Sequence, residues 1–146
     1  MQLGRLNHVG IAVPDMETAL AHWRDVMGAR CVHEPIVIER AGLLIRFVDT
    51  PADGSMHGTQ VELLQPLRED STVSEFLRAN PAGGQHHLCF EVPDIHAAHA
   101  WFTQAGKRVL GEPRPGAHGH PIFFVHGDDM GGVLTEILET PKEPQP

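Results

Sequence analysis

Histidine and glutamate recur at matched places in this chain, and together they make up the donor set of a metal centre. N-H-V-G-I-A-V-P-D-M at residues 7–16 is echoed by H-H-L-C-F-E-V-P-D-I at 86–95, setting His8 against His87 at an offset of 79 residues. G-T-Q-V-E-L-L at 58–64 is echoed by G-V-L-T-E-I-L at 132–138, setting Glu62 against Glu136 at an offset of 74. Each repeat opens on a histidine and closes on a glutamate, which is what a two-histidine, two-carboxylate site on a pseudo-twofold axis requires. A lone carboxylate in an apolar strand such as V-L-T-E-I-L is costly to bury without a partner. Two such glutamates, each matched by a histidine, favour a shared divalent ion over incidental strand polarity. Imidazole and carboxylate donors suit a five- or six-coordinate ion with open positions, and Co, Ni, Mn, Zn and Fe(II) all satisfy them. Among the remaining histidines, His33, His57, His96, His99, His118 and His120 fall in stretches that read as loop or surface.

The elements that would position these side chains also come in pairs. Leu6–Val13 alternates as a strand, stops at Pro14, and is followed by Asp15 as a helix N-cap. Met16, Ala19, Leu20, Trp23 and Met27 recur at helical spacing up to Gly28. Strands are expected at 30–38 and 43–49 across a turn near Ala41-Gly42, and again at 58–65. The second half repeats the order: strand His86–Val92, stop at Pro93, cap at Asp94, helix face Ile95, Ala98, Phe102 and Ala105, stop at Gly106. Strands then follow at about 107–111, 121–126 and 132–138. Between the halves, Thr72-Val-Ser-Glu75 matches a capping box opening a short helix to about Arg78.

The expected fold is therefore α+β. Two tandem βαβββ modules form an open, eight-stranded, barrel-like sheet with the metal site in its cleft. The boundaries are 1–67 for the first module, 68–84 for a linker with a short helix, 85–140 for the second module, and 141–146 for a disordered tail. Residues two apart on a strand share a face, so Gly10 and Ala12 lie beside His8, Cys89 and Glu91 beside His87, and Gln60 beside Glu62.

Gross composition removes several function classes. A net charge of −8, from 11 basic and 19 acidic residues, argues against a nucleic-acid groove. No apolar stretch approaches the ~20 residues that span a bilayer, and the first residues lack a signal peptide's apolar centre. Cys31 and Cys89 are the two cysteines, far apart and in no CxxC arrangement, which argues against a disulfide framework and a zinc ribbon. A cytoplasmic protein without membrane or nucleic-acid partners is expected.

At this point the chain resembles a known group, the vicinal-oxygen-chelate (glyoxalase/dioxygenase) superfamily, and within it the methylmalonyl-CoA epimerases. The resemblance is carried by L-N-H-V-G-I-A-V-P-D at 6–15, V-E-L-L-Q-P-L at 61–67, E-D-S-T-V-S-E-F-L at 69–77 and G-G-Q-H-H-L-C-F-E-V-P-D-I at 83–95. It continues through G-A-H-G-H-P-I-F-F-V-H at 116–126 and G-G-V-L-T-E-I at 131–137. It implies His8, Glu62, His87 and Glu136 as metal ligands, an acyl-CoA substrate with an acidic α-hydrogen, and epimerisation through a metal-stabilised enediolate. A homodimer is also implied. Epimerisation needs proton-moving groups on both faces of the planar intermediate. Some members carry a glutamate three residues after the turn glycine, but here Gly42 is followed by Leu43, Leu44 and Ile45. Glu136 and His120 are the catalytic candidates left, with Glu91 or a metal-bound water as substitutes for the opposite-face acid. Relatives have His-Pro-Lys where this chain has His126-Gly-Asp-Asp129, which removes positive charge suited to a CoA ester. The alternatives are a glyoxalase-I-like lyase or isomerase on another small carbonyl compound, and a metal-free small-molecule-binding protein of the same fold.

Overall fold

The computed structural model describes residues 1–54 and 58–142; His57 and residues 143–146 of the expected tail lie outside the described residues. Among the described residues the fold is α+β, with eight strands in one mixed sheet in the order β2-β3-β4-β1-β5-β8-β7-β6. The strands are β1 (Leu6–Ala12), β2 (Ile36–Ile38), β3 (Leu43–Val48), β4 (Gln60–Pro66), β5 (Gly84–Val92), β6 (Val109–Pro115), β7 (Pro121–Val125) and β8 (Thr135–Glu139). The helices are α1 (Met16–Ala21), α2 (Ser74–Ala79) and α3 (Ile95–Gln104). Two compact units emerge: His8–His86, and a second that joins Met1–Asn7 to the chain from His87 onward.

In the unit His8–His86, β1 runs parallel to β4 while β3 pairs antiparallel with both β4 and β2. Asp15 is extended and its Oδ2 accepts from Thr18 N at 2.9 Å, so the expected cap forms. Met16 N, one of the donors a helix start leaves without an intrahelical acceptor, donates to Gln65 Oε1 on β4 at 2.6 Å. Met16 and Leu20 then bury against Val13, Val48, Val61 and Leu63. Each such side chain contributes roughly 1.5–3 kcal/mol through removal of apolar surface from water.

The unit from His87 onward repeats this arrangement. Strand β5 is parallel to β8, and β7 pairs antiparallel with β8 and β6. Asp94 Oδ1 caps Ala97 N at 2.9 Å, and Ile95 N donates to Glu139 Oε2 on β8 at 3.1 Å. Gln65 and Glu139 each stand three residues after a repeat glutamate, so both helices are hooked to the same place on their strands. Ile95, Ala98 and Phe102 pack on Phe123, Val125 and Ile137.

Several expectations are corrected. The first helix does not run in one register to Gly28: after Ala21 it widens into a π-turn at His22–Val26, with Met27 N bonded to His22 O at 3.0 Å. The wider turn carries Met27 off the buried line, and its side chain is 59% exposed. Of the strand expected at 30–38, Ile36–Ile38 forms, and Val32 makes an isolated bridge to Val48; Pro35, which has no N–H to give a ladder, separates the two. The capping box at Thr72 is absent. Helix α2 starts at Ser74, one residue later than the box requires, with Val73 at the N-cap position and no side-chain cap bond, while Thr72 N donates to Ala41 O at 3.4 Å. Strand β6 reaches Pro115, further than expected, because an edge strand tolerates Pro113 and Pro115 on its unpaired side.

Candidate metal centre

His8 and Glu62 face each other across the parallel pair β1–β4. Gly10, two residues after the histidine, is the register partner of Glu62, and His8 Nε2 lies 2.9 Å from Glu62 Oε2. The other repeat reproduces this on β5–β8. Cys89, two residues after His87, is the register partner of Glu136, and His87 Nε2 lies 3.0 Å from Glu136 Oε2. The different sequence intervals from histidine to glutamate thus resolve into one register, because loop lengths differ while strand pairing does not. All four side chains are buried.

A third matched residue went unrecognised in the sequence. Phe47 on β3 is the register partner of Glu62, and its ring meets His8 edge-on at 5.7 Å. Phe124 on β7 is the register partner of Glu136, and its ring meets His87 edge-on at 5.4 Å. Each phenyl ring fixes an imidazole plane at right angles to itself, an arrangement that aromatic quadrupoles favour. The available signal was the dipeptide Phe-Val, at 47–48 and again at 124–125, placed ahead of each glutamate strand.

Among the described residues, His8, Glu62, His87 and Glu136 form a group able to hold a metal ion, their ligand atoms all within 4.8 Å of one another. The donor set fits a divalent cation. Two imidazole nitrogens and two carboxylates supply borderline and hard donors, and buried carboxylates gain most from a compensating positive charge.

The other sequence candidates fall elsewhere. His120 sits half-buried in the turn leading into β7, outside the four-residue group, and its carbonyl accepts from Gly116 N at 2.8 Å. Glu91 is committed within its own unit: Oε1 accepts from Arg5 Nε and from Asn7 Nδ2, each at 2.8 Å. Ile45 is buried on β3 opposite Leu64, two residues from Phe47. The His126–Asp129 stretch forms a short 3-10 turn pinned by Arg108, whose backbone N and Nε both donate to Asp129 Oδ2. That pairing holds the Asp129 carboxyl down at about 2, through the Arg108 side-chain and backbone hydrogen bonds.

One histidine read as surface is not simply so. His33 is half-buried, with Nε2 2.8 Å from Asp49 Oδ1. Gln60 Nε2 donates to the same Asp49 oxygen at 2.8 Å. Burial works to raise the Asp49 carboxyl, but hydrogen bonds from Gln60, His33 and Cys31 outweigh it and hold the carboxyl below its ordinary value. His99 is likewise drawn inward, its ring edge-on to Phe123 at 5.2 Å.

Comparison with known proteins agrees with this architecture. Residues 7–124 match the model of the Glyoxalase/Bleomycin resistance protein/Dioxygenase superfamily. The chain is 47% identical over 137 residues to the ethylmalonyl-CoA/methylmalonyl-CoA epimerase of Cereibacter sphaeroides, covering 92% of this chain and 97% of that one. It is 44% identical over 136 residues to the mitochondrial methylmalonyl-CoA epimerase of Homo sapiens, covering 92% and 73%. A solved methylmalonyl-CoA epimerase in complex with methylmalonyl-CoA and NH4+ superposes with a TM-score of 0.85 at 34% identity, covering 99% and 100% of the two chains. The Streptomyces coelicolor methylmalonyl-CoA epimerase in complex with 2-nitronate-propionyl-CoA gives 0.83 at 35%, covering 94% and 98%. The chain belongs to the Glyoxalase/Bleomycin resistance protein/Dioxygenase superfamily, on its methylmalonyl-CoA epimerase branch.

Proposed function

We propose that this chain is an isomerase that inverts the α-carbon of methylmalonyl-CoA or ethylmalonyl-CoA, with a divalent ion held by His8, Glu62, His87 and Glu136. The observation that carries the reading is the 47% identity to an ethylmalonyl-CoA/methylmalonyl-CoA epimerase along nearly the whole of both chains. The repeated His–Glu pairs, matched in register and at 2.9 and 3.0 Å, support it from the geometry.

A hydrogen between a thioester and a carboxylate is too weakly acidic for a side-chain base acting alone. A divalent ion supplies Lewis-acid stabilisation of the charge that develops on the substrate oxygens as that hydrogen leaves. The chain's own residues do the rest. Burial of the two His–Glu pairs keeps water from competing for the donors, and Phe47 and Phe124 hold the imidazoles in orientation. One group takes the α-proton from one face, the electron pair moves onto the thioester oxygen, and a second group returns a proton to the opposite face. We assign these proton-moving roles to Glu136 and His120. The aliphatic Ile45 leaves β3 without a carboxylate at the position some family members use.

The test is exchange in D2O. Protein loaded with metal is incubated with methylmalonyl-CoA, and loss of the α-hydrogen signal is followed by NMR beside a chelated control. Metal-dependent washout with scrambling of configuration is expected. Absence of washout with metal bound would overturn the substrate assignment.

A further inference from the structure

Cys31, His33 and Asp49 converge away from the four-residue group, and the proposed epimerisation makes no use of them. The segment around Val32 lies antiparallel to the end of β3: Val32 bridges Val48, His33 N donates to Phe47 O at 2.8 Å, and Asp49 N donates to Cys31 O at 3.1 Å. This pairing sets Cys31 opposite Asp49 and puts Cys31 and His33, two residues apart, on one face. Their Sγ, imidazole nitrogen and carboxylate oxygen all lie within 4.8 Å of one another.

We propose that Cys31, His33 and Asp49 form a second, independent binding site for a borderline-soft divalent cation of the zinc class. One alternative use of these residues is a nucleophilic triad, in which the carboxylate orients one imidazole nitrogen while the other faces the thiol. The geometry rejects that reading, because one atom, His33 Nε2, meets Asp49 Oδ1 at 2.8 Å, Gln60 Nε2 at 3.4 Å and Cys31 Sγ at 4.0 Å. Nitrogen, sulfur and oxygen donors within 4.8 Å of one another make a ligand arrangement. A tetrahedral zinc with Zn–S of about 2.3 Å and Zn–N and Zn–O of about 2.0 Å needs N···O near ~3.3 Å and S···N near ~3.5 Å. The observed 2.8 and 4.0 Å lie within small side-chain rotations of those values. A thiolate with an imidazole favours zinc over magnesium, calcium or manganese. Cys31 and His33 are half-buried, which leaves a path for the ion and a position for a fourth, solvent ligand. Gln60, which borders the site, is two residues from Glu62. That is about 7 Å along a strand, beyond the ~3.5–4 Å of a bridged two-metal centre.

Sulfur ligation gives the site its own signature, since neither His–Glu pair contains a thiol. The apoprotein is dialysed against Zn2+ for elemental analysis, and titrated separately with Co2+ while sulfur-to-cobalt charge-transfer absorption is recorded in the near ultraviolet. The wild type is expected to take up two zinc equivalents and to show the band. Cys31→Ser and His33→Ala are each expected to fall to one equivalent and lose it. Cys89→Ser and His87→Ala, with Cys31 intact, should keep the band, the latter even if the four-residue group is no metal site at all. A wild type without the band, or a Cys31→Ser variant that is folded by circular dichroism and keeps it, would overturn the proposal.

Discussion

Replacing His87 with alanine separates a packing loss from a binding loss, because the two respond differently to chelation. The ring is 2% exposed and packs edge-on against Phe124 at 5.4 Å, so truncation leaves a cavity whatever the metal does. Large-to-small changes at such sites cost roughly 2–5 kcal/mol. If His87 is also a ligand, the wild type alone gains binding free energy, about 2.7 kcal/mol at an ion concentration 100 times the dissociation constant. For a domain of this size each kcal/mol moves the midpoint by about 2–4 °C. The wild type should therefore melt roughly 5–10 °C higher with the ion than with a chelator. His87→Ala should melt lower than the wild type in both conditions and show no difference between them. Mn2+ is the ion to use, because a thiolate site holds it weakly and would not mask the result. Differential scanning calorimetry with and without Mn2+ reads both terms. An ion-dependent rise in His87→Ala as large as the wild type's would refute the assignment of His87 as a ligand.

Two further outcomes follow from particular residues. Ile45→Glu, which restores a carboxylate on the face of β3 that carries Phe47, is expected to change the rate and pH profile of α-hydrogen exchange. An unaltered profile would mean another group already performs that proton transfer. Asp129 should titrate by NMR at about 2 and return toward 3.8 in Arg108→Ala. Its folded-state value is depressed, so the pairing's contribution to stability is present above the ordinary carboxylate value and is lost as pH falls toward 2. Equal titration in both proteins would show that the Arg108 side chain does not hold the carboxyl down, since the backbone N–H at 108 donates in both.

The candidate ligands were legible because their signals are local and doubled. Pro14 and Pro93 end the histidine strands, and Asp15 and Asp94 cap the helices that follow, so each half of the sequence checks the other. What stayed hidden depends on contacts distant in sequence. The 2.8 Å approach of His33 to Asp49 requires the pairing of Val32 with Val48, which no periodicity announces. The π-turn after Ala21 lies inside an apolar pattern that an α-helix satisfies equally well. Thr72-Val-Ser-Glu75 has the residues of a capping box, but the helix begins one residue late, at Ser74 with Val73 in the N-cap place. Apart from the Phe-Val dipeptide they share, nothing in the sequence separates Phe47 and Phe124 from core residues; it is strand register that sets each across from a glutamate.

The seven residues at the start of the chain pack with its second half, where Gly4 N and Arg5 O bond the backbone of Glu91 and the Arg5 and Asn7 side chains hold its buried carboxylate. A fragment cut cleanly at the repeat boundary would carry Glu91 into the interior stripped of both partners, a costly burial. The duplicated halves are therefore not interchangeable parts. Any attempt to express the second half alone has to supply that N-terminal segment in trans or graft it on.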